Sequence, residues 1–343
     1  SFTLDIPLEG CKGCITKPPN NAYKPTDAPL KCSDPSCPSF CSGTCSFSNT
    51  YETCDPTNPT EPCTISGDWY KDKVSIGGTD PVEVVFGAIS YQTSNFYQFF
   101  TVDGVMGMAG GITDTSVFAT MAKEGVVPEY VWGMCINNAG TKSNGTLVLG
   151  GIEESLHTSD SKLVYTPNSN GNYYEMETLG INVDNLPVDD VPQNVIIDTG
   201  TNDLLLPTET YSSMKNQFLS LCNSVNLVGI CNVDSSKTLF DGVCYSMTPQ
   251  DVQQFPNITL VVRNVNLTMT GTDYVLQGFG TIPYQPNGKY CLGISPTGTG
   301  GLFIIGDTLL QNYYSVYDRV NKQIGWAPVN RQACGSVGLL LTA

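Results

Sequence analysis

Val195-Ile196-Ile197-Asp198-Thr199-Gly200-Thr201 sets one acid at the end of a run of branched apolar side chains. β-Branched residues in succession favour a strand buried on both faces, and the glycine after the acid permits a tight turn. An ionised carboxylate in apolar surroundings costs several kcal/mol or more unless it is paired, hydrogen-bonded or protonated. Such an acid is therefore either a structural liability or a site. The two hydroxyl residues that flank Gly200, Thr199 and Thr201, supply the donors it would need.

On both sides of this segment the chain alternates apolar and polar residues between turn signals. Lys73-Val74-Ser75-Ile76, Pro81 to Phe86, Thr146 to Leu149, Ile258 to Val262 and Tyr314 to Tyr317 read as short strands. Only two stretches have helical period: Ser116 to Glu124, and Glu209 to Cys222 with Tyr211, Met214 and Phe218 on one face. The fold class is all-β with a few short helices.

The chain also resembles itself. Ser1 to Pro7 lies over Thr201 to Pro207, with hydroxyl, Leu and Pro in register, and Val105-Met106-Gly107 lies over Ile304-Ile305-Gly306 at nearly the same separation. This predicts a duplication. The lobes are 1–167 and 168–330, divided at the polar, turn-rich Thr166 to Gly171, with a tail over 331–343. If Ser1 corresponds to Thr201, an Asp-Thr-Gly belongs immediately before Ser1. The partner acid is then expected outside this chain, unseen or cleaved away.

A length of 343 residues suits two lobes. Net charge is −16, with only 16 lysines and arginines, so no basic surface for nucleic acid can be assembled. Few cations also limit self-repulsion when carboxylates protonate, which suits an acidic compartment. Fourteen cysteines, eight of them in the insertion Cys11 to Cys63, and sequons at Asn144, Asn257 and Asn266 imply the secretory pathway. Zinc is disfavoured against disulfides, since one histidine leaves only all-cysteine ligation in an oxidising compartment. Cys222 with Cys231, and Cys244 with Cys291, are candidate bridges, while Cys135 is either a buried thiol or a partner of Cys334. Val337 to Ala343 is too short to span a bilayer, though an anchor could begin there. The sole histidine, His157, reads as a surface-loop residue, which argues against Ser-His-Asp and Cys-His hydrolases. Gly298 to Gly301 lacks the Lys-Ser/Thr of a phosphate loop and reads as a turn.

Taken in order, Asp103-Gly104-Val105-Met106-Gly107, Ile197-Asp198-Thr199-Gly200-Thr201 and Ile305-Gly306-Asp307-Thr308 with Tyr313 to Asp318 resemble the pepsin-like aspartic proteases. The cysteine-rich insertion is closer to the secreted plant and protist members. The resemblance implies a bilobal double-β-barrel and an endopeptidase that hydrolyses peptide bonds with two aspartates sharing one proton, at acidic pH, without metal or cofactor. Asp198 would be one acid, and Thr201 and Ser1 the hydroxyls that hold the pair. Gly200 would let a backbone amide approach the carboxylate, and Tyr51 would be the tyrosine of a hairpin flap. Polypeptides would be the substrates, with a separate N-terminal peptide supplying the first Asp, in a protein that is secreted, on the cell surface or in a lysosome or vacuole.

Three departures from the family pattern stand beside this. The first Asp-Thr-Gly is absent. The flap tyrosine is followed by Glu52-Thr53-Cys54 rather than glycines, so that a Cys54 to Cys63 bridge would staple a longer hairpin. Asp5 occupies the place of a cleft tryptophan, where its carboxylate would accept the Tyr51 hydroxyl or face water. These leave a second class open, a catalytically inactive relative serving as an extracellular binding or structural module.

Overall fold

A computed structural model describes residues 3–14, 22–38, 43–53, 62–93, 104–109, 115–139, 142–277 and 288–342. The chain forms two compact units, Ser1–Val127 and Pro128–Ala343.

The first unit carries strands β1 (Leu4–Lys12), β2 (Ser46–Thr53), β3 (Pro62–Val74), β4 (Val82–Gln92) and β5 (Val105–Met106), then helix α1 (Val117–Lys123). The strands form one sheet in the order β2-β3-β4-β1-β5. Cys45, Phe47, Cys63, Ile65, Trp69 and Ile89 make a buried cluster, in which the Phe47 and Trp69 rings lie 5.1 Å apart. Ser116 caps α1 by accepting from the Ala119 N–H at 3.2 Å, satisfying one of the donors a helix start leaves open. β3 ends at Val74, short of the expected Ile76. The Ser75 hydroxyl donates to the Thr79 carbonyl at 2.7 Å, and Gly77 and Gly78 turn the chain at positive φ.

The second unit opens with β6 (Val131–Ala139), β7 (Lys142–Leu149), β8 (Val164–Pro167), β9 (Glu175–Val183), β10 (Leu186–Pro187), β11 (Asn194–Ile197) and β12 (Leu204–Leu206). After helices α2 (Thr208–Leu221) and α3 (Pro249–Val252) come β13 (Ile258–Val262), β14 (Val265–Met269), helix α4 (Gly271–Tyr274), β15 (Val275–Gln277), β16 (Tyr290–Leu292), β17 (Ile294–Pro296) and β18 (Ile304–Ile305). Helix α5 (Asp307–Leu310), β19 (Tyr313–Asp318), β20 (Gln323–Pro328) and β21 (Leu339–Leu341) complete it. One sheet runs β14-β13-β9-β11-β18-β12-β17, with β10 on β9, and another runs β21-β7-β6-β19-β20-β8. Tyr211, Met214 and Phe218 are the buried face of α2, as its period predicts. The all-β reading holds.

The two units repeat one strand arrangement. β1 pairs parallel with β4 and antiparallel with β5, Leu4 facing Met106, while β12 pairs parallel with β17 and antiparallel with β18, Leu205 facing Ile304. β1 with β12, and β5 with β18, are the segments that align in sequence.

Disulfides join Cys222 to Cys231, Cys244 to Cys291 and Cys135 to Cys334, so Cys135 is not a thiol. The last bridge fastens the tail, whose β21 adds parallel to β7. In the insertion Cys11 pairs with Cys14 and Cys37 with Cys45. Cys63 is also disulfide-bonded, and its expected partner Cys54 lies outside the described residues. Asn144, Asn257 and Asn266 are exposed. The Gly301 N–H donates to the Gly298 carbonyl at 3.1 Å, making that run the turn expected. His157 departs from expectation. It is 7% exposed, its Nε2 lying 2.8 Å from Glu154 Oε2 and its Nδ1 3.0 Å from the Thr158 carbonyl, because those partners satisfy both ring nitrogens away from water. Among the described residues no helix is long and apolar enough to cross a membrane.

Candidate active site

Asp198 is set by the strand before it. β11 lies between β9 and β18, and Val195 and Ile197 are buried at 0% and 5% exposure, as a strand with neighbours on both edges requires. The ladder runs up to the acid: Ile196 N–H donates to Phe303 O at 3.0 Å, Ile197 N–H to Tyr174 O at 2.8 Å, and Asp198 N–H to Ile305 O at 3.0 Å. The chain then turns, with Thr201 N–H donating to the Asp198 carbonyl at 3.1 Å.

Each carboxylate oxygen has its own donor. The Gly200 N–H reaches Oδ1 at 3.0 Å, and the Thr201 hydroxyl reaches Oδ2 at 2.8 Å. Hydrogen bonds to a charged acceptor are worth roughly 1.5–3 kcal/mol each, so two of them fix the orientation of the carboxyl group. Gly200 contributes room rather than an unusual φ, because a Cβ there would stand 3.2 Å from Asp198 Oδ1. Gly306 has the same part on the neighbouring strand, where a Cβ would fall 2.3 Å from the Thr201 carbonyl oxygen. Thr199 lies on the turn, partly exposed.

Beneath the strand is an aromatic stack. Trp132 lies flat on Tyr317 with centroids 3.9 Å apart, and its indole N–H donates to the Tyr174 hydroxyl at 2.7 Å. Arg319 sits over the Tyr174 ring at 5.5 Å. Tyr174 also supplies the carbonyl bonded to Ile197, so the stack fixes the backbone one residue before the acid.

Three more acids are buried wholly or in part, of which only Asp5 was singled out in the sequence. Asp203, 5% exposed, accepts the Ser295 hydroxyl at 2.5 Å, and burial raises its carboxyl above the usual range while that bond draws it back. Asp307, at the head of α5, is pushed up to about 7, first by burial and then by the charge of Asp198. Asp5 in the first unit corrects an expectation: it does not face water. It is 0% exposed beside Gly87 and Phe47, and a Cβ on Gly87 would fall 2.3 Å from its Oδ1. Burial raises it to about 6 against one long bond from the Thr3 hydroxyl at 3.4 Å, and its Oδ2 has no partner among the described residues. Asp5 lies in the inward phase of β1, where alternation alone would have flagged a polar residue.

Ser1 lies outside the described residues. Tyr51 is in β2 with its backbone opposite Cys63, on a β2–β3 hairpin where a flap was expected, but its side chain is outside what is described. Asp198, Thr199, Gly200 and Thr201 are brought together.

A family model described as Eukaryotic aspartyl protease matches residues 44–329. The chain is 24% identical over 269 residues to gastricsin of Cavia porcellus, covering 77% of this chain and 63% of that protein. Pepsin-2B of Gadus morhua is 24% identical over 263 residues, covering 75% of this chain and 73% of the relative. Pepsin A of Sus scrofa is 25% identical over 263 residues, covering 75% and 62%. For gastricsin and pepsin A the match spans less than two thirds of the relative's own length.

Proposed function

The chain belongs to the eukaryotic aspartyl protease family, and on that footing we propose that it carries one half of a two-aspartate centre hydrolysing peptide bonds in polypeptides. The observation that carries this is the pair of donors on Asp198, one to each oxygen. A carboxylate so held can take a proton from water as the water attacks a peptide carbonyl. The second acid, upstream of Ser1 in a longer polypeptide or on a separate peptide, holds the shared proton and gives it to the substrate. Two carboxyls a few ångströms apart cannot both ionise, so the pair keeps one proton and works in acid.

The remaining assignments follow from this reading. Ser1 plays toward the first acid the part that Thr201 plays toward Asp198. Tyr51 closes over substrate, and Asp5 shapes the pockets beside it. The duplicated lobes are 1–167 and 168–330. The disulfides and exposed sequons suit a glycosylated protein of the secretory pathway that works in an acidic space.

The test is a preparation that includes the residues upstream of Ser1, assayed on denatured protein at pH ~3 to 5, where a shared proton is retained. Cleavage that Asp198→Asn abolishes is expected. No cleavage at any pH, with the upstream segment present, would leave the non-catalytic binding module as the better reading.

A further inference from the structure

His157 is the only histidine of the chain and takes no part in the site around Asp198. It lies on the segment between β7 and β8, 7% exposed, with a partner on each ring nitrogen. Nε2 stands 2.8 Å from Glu154 Oε2. Nδ1 stands 3.0 Å from the Thr158 carbonyl oxygen and 3.2 Å from the Ser161 hydroxyl oxygen. That hydroxyl is already committed, donating to the Thr158 carbonyl at 2.8 Å and accepting from the Thr158 hydroxyl at 3.0 Å. It offers Nδ1 only a lone pair. A carbonyl and a carboxylate likewise only accept, so acceptors face both ring nitrogens. A neutral imidazole has one N–H to give them, and the imidazolium has two.

The segment that the ring spans carries the root of the tail. The Thr158 N–H donates to the Pro328 carbonyl at 3.0 Å, and the Asn330 N–H to the Leu156 carbonyl at 2.8 Å. The Asn330 side-chain amide donates to the Ser155 carbonyl at 2.9 Å, and the Asn330 carbonyl accepts the Cys334 N–H at 2.9 Å. Cys334 is bridged to Cys135, and β21 follows.

Few other charges stand near the ring. On its own segment, Glu153 accepts the Ser155 N–H at 3.1 Å, and Asp160 and Lys162 are exposed. On β19, the Tyr314 ring lies parallel to the imidazole with centroids 6.4 Å apart, its phenol pushed up to about 12, first by burial. On β8, the phenol of Tyr165 is raised by burial and then by the charges of Asp318 and Glu154. After β20, Arg331 donates to Asn312 Oδ1 at 2.7 Å. Glu154 is thus the charge that touches the ring, and its side chain is 77% exposed.

We propose that His157 is a clamp closed by acid: as the imidazolium it ties Glu154 to Thr158, fastening segment 153–161 and, through Asn330, the root of the tail. An imidazole gives up its second proton between about pH 5 and 8. The proton that leaves is the one on Nε2, because the enclosed acceptors of Nδ1 have nowhere to turn, whereas Glu154 can swing into water. A lone pair on Nε2 then faces the carboxylate, the contact opens, and the segment is held by its backbone bonds alone. The clamp is full in acid and is lost as pH rises towards neutrality.

The proposal stands apart from the endopeptidase reading, and its test needs no substrate. With one histidine in the chain, nitrogen-15 NMR of histidine-labelled protein reads this ring alone. Both ring nitrogens should carry a proton at about pH 5, and Nδ1 alone at about pH 8. A neutral ring at the lower pH, or the Nε2–H tautomer at the higher, overturns the proposal. Hydrogen exchange of segment 153–161, corrected for the intrinsic rate, should show protection falling roughly fivefold between the two, as a partly exposed ion pair implies. In Glu154→Gln the amide can accept from the ring or donate to it, so protection should stay level over the same range. No fall in the native chain, or an equal fall in Glu154→Gln, also overturns it.

Discussion

Asp5 lies within strand β1 of the first unit and Asp198 just past strand β11 of the second, and their surroundings are opposite. Asp198 is partly exposed and has a donor on each oxygen. Asp5 is fully buried, with one long bond and one oxygen that has no partner among the described residues. Burial, the first cause of the Asp5 shift, and the number of donors aimed at the carboxylate together set the two acids apart.

The largest effect that would sharpen this contrast lies in the first unit. The Asp5 carboxyl is raised from 3.8 to about 6. The folded state therefore holds a proton that the unfolded chain has released, and stability is full below about pH 4 and falls as pH rises through about 6. The total loss is about 3 kcal/mol. Urea unfolding at pH 4 and pH 7 should show that loss, and Asp5→Asn, which cannot ionise, should flatten it. An unchanged slope in the variant would remove Asp5 as its source. Asp307 is raised in the same sense, so Asp307→Asn should remove a further part of the slope at the neutral end.

Asp203 lies between the two cases, buried but served by Ser295. Ser295→Ala takes away that donor and should destabilise the second unit by about 1–3 kcal/mol, read as a lower urea midpoint. Thr201→Val removes one of the two donors on Asp198 and should lower kcat roughly tenfold while Thr201→Ser restores most of it, since only the hydroxyl matters. Gly200→Ala sets a methyl 3.2 Å from Asp198 Oδ1 and should have the smallest effect, a drop of a few-fold in kcat that reports the shift of one carboxylate oxygen.

Much of this was legible in the residues. The branched run before Asp198 and the hydroxyls around Gly200 announced a strand, a turn and a held carboxylate, because those signals are local. The period of Glu209 to Cys222 gave a helix for the same reason. Cys222 with Cys231 and Cys244 with Cys291 followed from chain proximity and strand spacing. His157, Asp307 and Tyr317 were not legible, since their meaning comes from residues far away in sequence: Glu154 and Thr158 satisfy the imidazole, and the Thr201 carbonyl ties Asp307 to the turn. Of the two readings of Asp5, facing water fails because β1 pairs it with Gly87, whose missing side chain makes the space its carboxyl fills, while the Tyr51 side chain lies outside what is described.

The direct measurement is turnover of a denatured protein at pH about 4 by preparations that include the upstream segment, comparing Asp198→Asn with Asp203→Asn five residues along the same turn. The account predicts that the first variant folds and is silent, by at least roughly a hundredfold, while the second loses stability but continues to cleave at temperatures where it is folded. Activity in Asp198→Asn, or equal silence in a folded Asp203→Asn, would contradict it.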